Sequence, residues 1–378
     1  MKSTLRNVKA MWLSQYDLNR VYCDGVQRPS ADFRHLLEKI FTNVKNTGHN
    51  TVIVQVRPNA DSMYPSDYYP PSAYVTGTYG RDFLYDPLRI IVDEARAMGL
   101  SVHGWINPLR CMTTEQFSSL AGNSLFRRIA PECFSVVEGR LYLDPANPEA
   151  RDLIISGAAE LARNYDLDGI HMDDYFYPTV DESFDSRSYC KYISGGGTAD
   201  LPTFRRHNLD LLVKGLYTAV KAVDSRLLFG ISPAGNIDNV YNKQFADVYR
   251  WCSEAGYVDY ICPQVYFGLE HETCDFRKVC GIWQDIIKNG TTQLWIGMTL
   301  GKAKSKTDRY AGCGGNEWAE NRDILRRCLE HTLTLPKCRG VSYFCYQYYF
   351  DPVTAAEETA TREERENFLP LLKEIKWK

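Results

Sequence analysis

No run of the sequence approaches the roughly 20 apolar residues that a membrane-spanning helix needs. The 378-residue chain is therefore not expected to cross a bilayer. A basic excess is also lacking: 44 Lys+Arg stand against 47 Asp+Glu, a formal net charge of −3. That balance argues against nucleic acid or an anionic membrane surface as a partner. The twelve cysteines include no Cys-x-x-Cys pair. Neither a disulfide framework nor a structural zinc site is expected, and most thiols are read as reduced and buried. The polar, basic start from Met1 to Lys9 lacks a signal-peptide pattern, so the protein is expected to be cytoplasmic. No Gly-x-Gly-x-x-Gly turn follows the first apolar run, and no Gly-Lys-Ser/Thr ends the Lys302–Lys306 stretch. Nucleotide-binding signatures are thus absent, and no cofactor is expected.

Aromatics, by contrast, are plentiful: 25 Tyr, 16 Phe and 7 Trp, 13% of the chain. Tyrosine suits contact surfaces, because its ring stacks while its hydroxyl hydrogen-bonds. Short runs rich in Val, Ile, Tyr, Phe and Trp occupy 8–13, 51–56, 101–106, 169–172, 227–231, 257–262, 294–298 and 340–345. Each reads as a strand. Helical patterns separate them. Ser30 opens one that Gly48 ends; Asp86-Pro87 opens the next, closed by Gly99; Asn147-Pro148 opens a third. Further helices are expected over 202–223, 243–255, 275–288 and 316–333, with a last one over 362–375. Eight strand–helix repeats point to parallel β/α units. A closed barrel competes with an open doubly wound sheet, and the count of eight favours the barrel. The expected fold class is α/β, a (β/α)8 TIM barrel. It is expected as one domain over 1–378, with a long βα loop after strand two and a C-terminal helix.

Chemistry in such a barrel sits where strands end. The second strand ends in Gln55-Val-Arg57-Pro-Asn59-Ala-Asp61 and the third in His103-Gly-Trp105-Ile-Asn107. The fourth runs Asp168-Gly-Ile-His171-Met-Asp173-Asp174-Tyr175, the sixth ends in Gln264-Val-Tyr266, and the eighth leads to Tyr346-Gln347-Tyr348-Tyr349. Alternation puts His171 and Asp173 on one face, and likewise Gln55, Arg57 and Asn59. Several strands therefore send polar groups to one place. Adjacent carboxylates such as Asp173 and Asp174 raise each other's pKa when desolvated, which suits acid and nucleophile roles. Two other uses compete. Asp174 can cap its loop or meet Arg110, and His171 with His103 and the two aspartates can chelate a metal, although no metal site is expected. Arg57 reads equally as a buried ion-pair partner and as a group that positions Asp173 or substrate. Trp105 reads as packing or as a sugar platform, and Asn107 as a loop cap or a substrate contact. Asp168 and Asp259, at strand starts, read as structural.

Five motifs occur in order: Val56-Arg57-Pro58-Asn59-Ala60-Asp61, Gly104-Trp105-Ile106-Asn107-Pro108, Asp168 through Pro178, Ile231-Ser232-Pro233, and Asp259-Tyr260-Ile261-Cys262-Pro263-Gln264-Val265-Tyr266. Together they resemble the glycosyl-hydrolase-like family ten proteins over nearly the whole chain. The resemblance implies a (β/α)8 barrel that acts on glycosidic bonds. Some members of that family are similar to bacterial enzymes that cut peptidoglycan strands stripped of peptides. It also implies an active centre at Asp173 and Asp174, ringed by Arg57, Asn59, Asp61, Asn107, His171, Gln264 and Tyr266. The fourth-strand block looks like the chitinase-type Asp-Gly-Ile-Asp-x-Asp-x-Glu pattern as well. Tyr175 stands where that pattern has its catalytic Glu, so the chitinase mechanism does not carry over.

The expected activity is glycosidic cleavage of an oligo- or polysaccharide, with N-acetylated bacterial cell-wall glycan as one substrate class. Asp173 is expected as nucleophile or electrostatic stabiliser, and Asp174, or a remote carboxylate such as Asp61 or Glu270, as acid. A silent carbohydrate-binding barrel and a metal-dependent hydrolase or deacetylase are the alternatives. The substrate-binding set adds Trp105, Tyr175, Tyr346 and Gln347. Tyr64, Tyr68, Tyr69, Tyr74, Tyr79 and Tyr85, with Tyr177, Tyr266, Tyr348 and Tyr349, are expected to help form an aromatic rim for sugar.

Overall fold

The structure, a computed structural model, describes residues 7–120 and 125–377. The polar start read above lies, through residue 6, outside the described residues. Eight strands form the sheet: β1 (Val8–Leu13), β2 (Thr51–Arg57), β3 (Ser101–Ile106), β4 (Gly169–Met172), β5 (Leu228–Ile231), β6 (Tyr260–Ile261), β7 (Gln293–Thr299) and β8 (Cys338–Phe344). All neighbours pair in parallel, and β1 pairs with both β2 and β8, closing the barrel. A helix follows each strand: α1 (Ser30–Asn46), α2 (Pro87–Ala97), α3 (Pro148–Asn164), α4 (Leu201–Val223), α5 (Val248–Ser253), α6 (Phe276–Ile286), α7 (Ile324–Thr332) and α8 (Arg362–Glu374). The expected fold is the observed one.

Local signals explain the helix starts. The Asp86 carboxylate accepts from Arg89 N ahead of Pro87, and Asn147 Oδ1 accepts from Glu149 N ahead of Pro148. Ser30 differs from expectation: it is the first residue of α1, Pro29 precedes it, and no side chain caps that end. The helix expected over 316–333 is broken into Glu317–Glu320 and α7, because the chain between them is extended at Asn321. Asp168 and Asp259 are structural, as expected. The Asp168 carboxylate accepts from Val102 N and pairs with Arg96 at 2.9 Å, while that of Asp259 accepts from Phe229 N and pairs with Lys221 at 2.7 Å. Each pins the entry of one strand to its neighbour.

The core has two parts. A large cluster lies between the barrel and its helices, and a smaller one fills the barrel itself. Trp12, Trp105, Tyr260 and Trp295 dominate the interior, with His103 and His171 among them. Interior space is made by glycine. A Cβ on Gly230 would stand 2.1 Å from the Tyr260 ring, and one on Gly169 would stand 2.7 Å from His103. All twelve cysteines are free, and nine are buried. Among the described residues no helix is long and apolar enough to cross a membrane.

The loop after β2 is long, as expected, running over 58–86 with one short helix, Ala73–Thr76. The larger excursion, however, follows β3. It carries a three-stranded antiparallel sheet of Arg110–Thr113, Arg140–Leu143 and Phe134–Val137, which the sequence did not announce.

Candidate active site

At the C-terminal mouth of the barrel lies a cavity of about 130 Å³. The loop after β1 supplies Ser14, Gln15 and Tyr16; β4 leads into Asp173, Asp174 and Tyr175. Trp12, Gln55, Trp105, Arg110, Ser232, Gln264, Tyr266 and Phe344 complete the wall. Adjacent residues on a strand point to opposite faces. Asp173 and Asp174 share one cavity because β4 ends at Met172 and the chain leaves the pleat there.

The two carboxyls differ. Asp173 is almost wholly buried; burial first, and then the charge of Asp174, push its pKa well above the ordinary aspartate value. Tyr175 N donates to Asp173 Oδ1 at 3.3 Å, and the Trp105 indole N–H and Arg110 guanidinium act weakly in the opposite direction. Asp174 is half-buried and also raised by desolvation, offset by the Gln264 amide and by Arg110. A proton shared by this pair therefore resides mainly on Asp173. Trp105 Nε1 is buried in the wall, and its N–H faces the Asp173 carboxyl without reaching full hydrogen-bond geometry.

Beneath the cavity runs a chain of hydrogen bonds. Trp12 Nε1 donates to His171 Nε2 at 3.3 Å, His171 Nδ1 meets the Tyr260 hydroxyl at 2.9 Å, and that hydroxyl meets His103 Nδ1 at 3.0 Å. An indole only donates, so His171 Nε2 is the bare nitrogen and Nδ1 carries the hydrogen. The Tyr260 hydroxyl accepts a hydrogen bond from Nδ1–H and donates its own to His103 Nδ1. Both histidines are neutral. Burial holds His103 down at about 4 and His171 well below the usual value.

Six of the thirteen residues expected at the site line the cavity: Asp173, Asp174, Trp105, Tyr175, Gln264 and Tyr266. His171 lies one layer below. The face expected to unite Gln55, Arg57 and Asn59 is not formed. The β2–β3 register shifts between Gln55 and Arg57, and this bulge turns Arg57 out of the barrel. Its guanidinium sits 4.4 Å above the Tyr69 ring, against Gly157 of α3. Asn107 braces loops, donating to Pro58 O and accepting from Gln55 Nε2. Asn59 and Asp61 belong to the β2 loop, where Asn59 N donates to Asp61 Oδ1 and Asn59 Oδ1 accepts from Arg140. Tyr346 turns outward to Asn43 of α1. Gln347 holds the loop after β8 by donating from its backbone to Asp17, outside the cavity wall. Glu270 is exposed and lies away from the cavity.

The aromatic rim is smaller than expected. Tyr64, Tyr69, Tyr177, Tyr346 and Tyr349 are buried in the core, because rings that cover long loops also pack them. Sequence reasoning passed over the end of β1 and its loop, although Trp12 lies in that first strand and Ser14, Gln15 and Tyr16 follow it directly. Its signal was position, at a strand's C-terminal end, rather than any charged motif. A larger groove of about 830 Å³ lies between α3 and α4 beside Tyr192, but it holds neither carboxyl of the pair. Among the described residues, no group of three or more His, Cys, Asp or Glu is arranged to hold a metal ion.

Solved barrels share this architecture. The glycoside hydrolase domain of PgaB (BpsB) from Bordetella bronchiseptica superposes with a TM-score of 0.61 at 13% identity, covering 96% of this chain and 98% of that one. The catalytic domain of β-amylase from Paenibacillus polymyxa gives 0.59 at 9% identity, covering 98% and 100%. At such identity the likeness is one of fold. Sequence relatives are nearer. Glycosyl hydrolase DigH of Escherichia coli O6:H1 is 30% identical, over 92% of this chain and 84% of its own length. Glycosyl hydrolase YngK of Bacillus subtilis is 33% identical over 80% of this chain, and the chain spans only 62% of that protein's length. The description glycosyl hydrolase-like 10 matches residues 7–310, from the first strand through the seventh and with it every wall residue but Phe344, and the chain belongs to that family.

Proposed function

We propose that the protein is a glycoside hydrolase that cleaves O-glycosidic bonds in an N-acetylated bacterial cell-wall glycan. The observation that carries this reading is the carboxyl pair: two desolvated aspartates of unequal pKa in one cavity at the C-terminal mouth of the barrel. Relatives named glycosyl hydrolases in Bacillus and Escherichia support the class of reaction.

Asp173, the carboxyl that stays protonated, is the general acid and gives its proton to the leaving glycosidic oxygen as the C1–O bond breaks. Asp174, kept ionised by Gln264 and Arg110, stabilises the positive charge that develops at the anomeric centre; water then adds to that carbon and returns a proton to Asp173. This reverses the division expected from strand facing alone, and its ground is the deeper burial of Asp173. Activity then requires Asp173 protonated and Asp174 ionised. It falls on the acid side through the raised pKa of Asp174 and on the alkaline side through the still higher pKa of Asp173, giving a bell-shaped profile.

The test is a screen of peptide-free peptidoglycan strands and N-acetylated oligosaccharides against wild type and Asp173→Asn. Loss of general acid catalysis is expected to lower kcat by about 10²–10⁴-fold. Full activity in Asp173→Asn would overturn the assignment. Glycan binding without turnover by wild type would make the protein a carbohydrate-binding barrel instead.

A further inference from the structure

The cavity around the carboxyl pair is about 130 Å³. That is well below the roughly 300–1,000 Å³ of pockets that enclose a drug-sized ligand. A glycan of several sugars must therefore leave the cavity and cross its mouth. What stands at the mouth decides where the chain runs.

Two wall residues keep their rings open to solvent: Tyr16 is 56% exposed and Tyr175 is 40% exposed. Neither is loosely held. Ser14 and Asp17 form a reciprocal cap, with Asp17 Oδ2 accepting from Ser14 N at 2.6 Å and Ser14 Oγ from Asp17 N at 3.3 Å. Gln15 N donates to Gln55 Oε1 at 2.7 Å, and Asp17 Oδ1 accepts from Gln347 N at 2.7 Å. The residues on both sides of Tyr16 are thus fastened to β2 and to the loop after β8, while the ring between them buries little. Tyr175 donates its backbone N–H to Asp173, and the Arg110 guanidinium lies 4.8 Å from its ring centroid. Both rings border the same cavity, Tyr16 from the loop after β1 and Tyr175 from the end of β4. A single exposed tyrosine needs no explanation. A neighbouring pair on fixed backbone, continuous with a cavity that holds little more than one ring, has a use.

We propose that Tyr16 and Tyr175 form a stacking platform outside the cavity, a subsite that takes the pyranose next to the one held at the carboxyl pair. The C–H face of that sugar lies on the rings, and its hydroxyls remain in water. The inference rests on the hydrolase reading and deepens it: the site reads a chain rather than a single sugar. Tyr16 is the residue to test, since Tyr175 also holds Asp173 through its backbone.

The experiment compares a tetrasaccharide with a disaccharide of the N-acetylglucosamine–N-acetylmuramic acid repeat. Wild type, Tyr16→Ala and Tyr16→Phe are measured for kcat/KM, and each is also made in the Asp173→Asn background for calorimetric binding. The preference for the longer chain is expected to fall on the order of tenfold in Tyr16→Ala, through KM, and to return in Tyr16→Phe, which keeps the ring. A Tyr16→Ala protein that prefers the tetrasaccharide as strongly as wild type, or a wild type with no such preference in binding, overturns the platform and leaves the hydrolase reading intact. A tetrasaccharide that binds in a Tyr16-dependent way but is never cut overturns the hydrolase reading and leaves the platform standing.

Discussion

Below the cavity, the direction of three hydrogen bonds is set by one indole. Trp12 only donates, and from that the tautomers of His171 and His103 follow in turn through the Tyr260 hydroxyl. Neutral imidazoles so deep in the barrel make no ion pair with Asp173; their effect is to hold Trp12, a cavity wall, in one orientation. Tyr260→Phe should break this order. It leaves a buried donor on His171 and a buried acceptor on His103 without partners, and the expected loss is about 1–3 kcal/mol in stability. Nitrogen-15 NMR supplies the second readout: His171 stays protonated at Nδ1 alone in wild type and variant, because Trp12 still donates to Nε2, while His103 is held to one tautomer only in wild type. A wild-type His171 protonated at Nε2 would sink the scheme. At this scale the sequence was half legible. Alternation put His171 and Asp173 on one face, and the adjacent carboxylates announced a perturbed pair. Tyr260 stood 89 residues from His171 with no local mark of their contact, since hydrogen bonds between strands leave no periodicity behind.

Among the elements, strand bounds came through within about two residues for most of the barrel, because a strand buried on both faces reads as a short apolar run. The misses have physical causes. A one-residue bulge after Gln55 does not show in a hydrophobic pattern, yet it moved Arg57 from the barrel interior to the helix layer. The antiparallel sheet after β3 is built from short, partly exposed strands, whose residues resemble those of any loop. The displaced Arg57 in turn explains Gly157 within α3. Alanine is the better helix former there by about 1 kcal/mol. An added Cβ, however, would lie 2.5 Å from Arg57 Nη1 and 2.5 Å from the Tyr69 ring, with both groups packed in place. Overpacking of that kind costs about 1–3 kcal/mol. Gly157→Ala is therefore expected to lower the denaturant midpoint, against its helix propensity. A midpoint that rises would show that Arg57 and Tyr69 can move aside at little cost.

For the molecule as a whole, closure depends on contacts between the two ends of the described chain. β1 pairs with β8, Lys9 Nζ donates to Lys373 O beyond them, and Trp377 N donates to Asn7 Oδ1. The count of eight units implied this closure, although nothing local encodes a pairing across more than 300 residues. The last two units are joined by a buried acid. Glu364 of α8 accepts from Leu325 N at the start of α7, and burial, helped by Asp323 and opposed by that hydrogen bond, raises its carboxyl to about 7 from the ordinary 4.5. The folded protein thus binds this proton more tightly than the unfolded chain does. The stability that Glu364 contributes is full below about pH 4.5, declines as pH rises toward 7, and is lowest above it, a swing of at most about 3 kcal/mol. Glu364→Gln keeps an acceptor oxygen without the charge, so it should melt higher than wild type above pH 7. Because every other group titrates alike in the two proteins, the gap should narrow steadily as pH falls from 7 to 4.5. Thermal melts across that range decide it: a gap that stays constant with pH would mean that Glu364 is already neutral, or equally ionised, in both folded and unfolded chains.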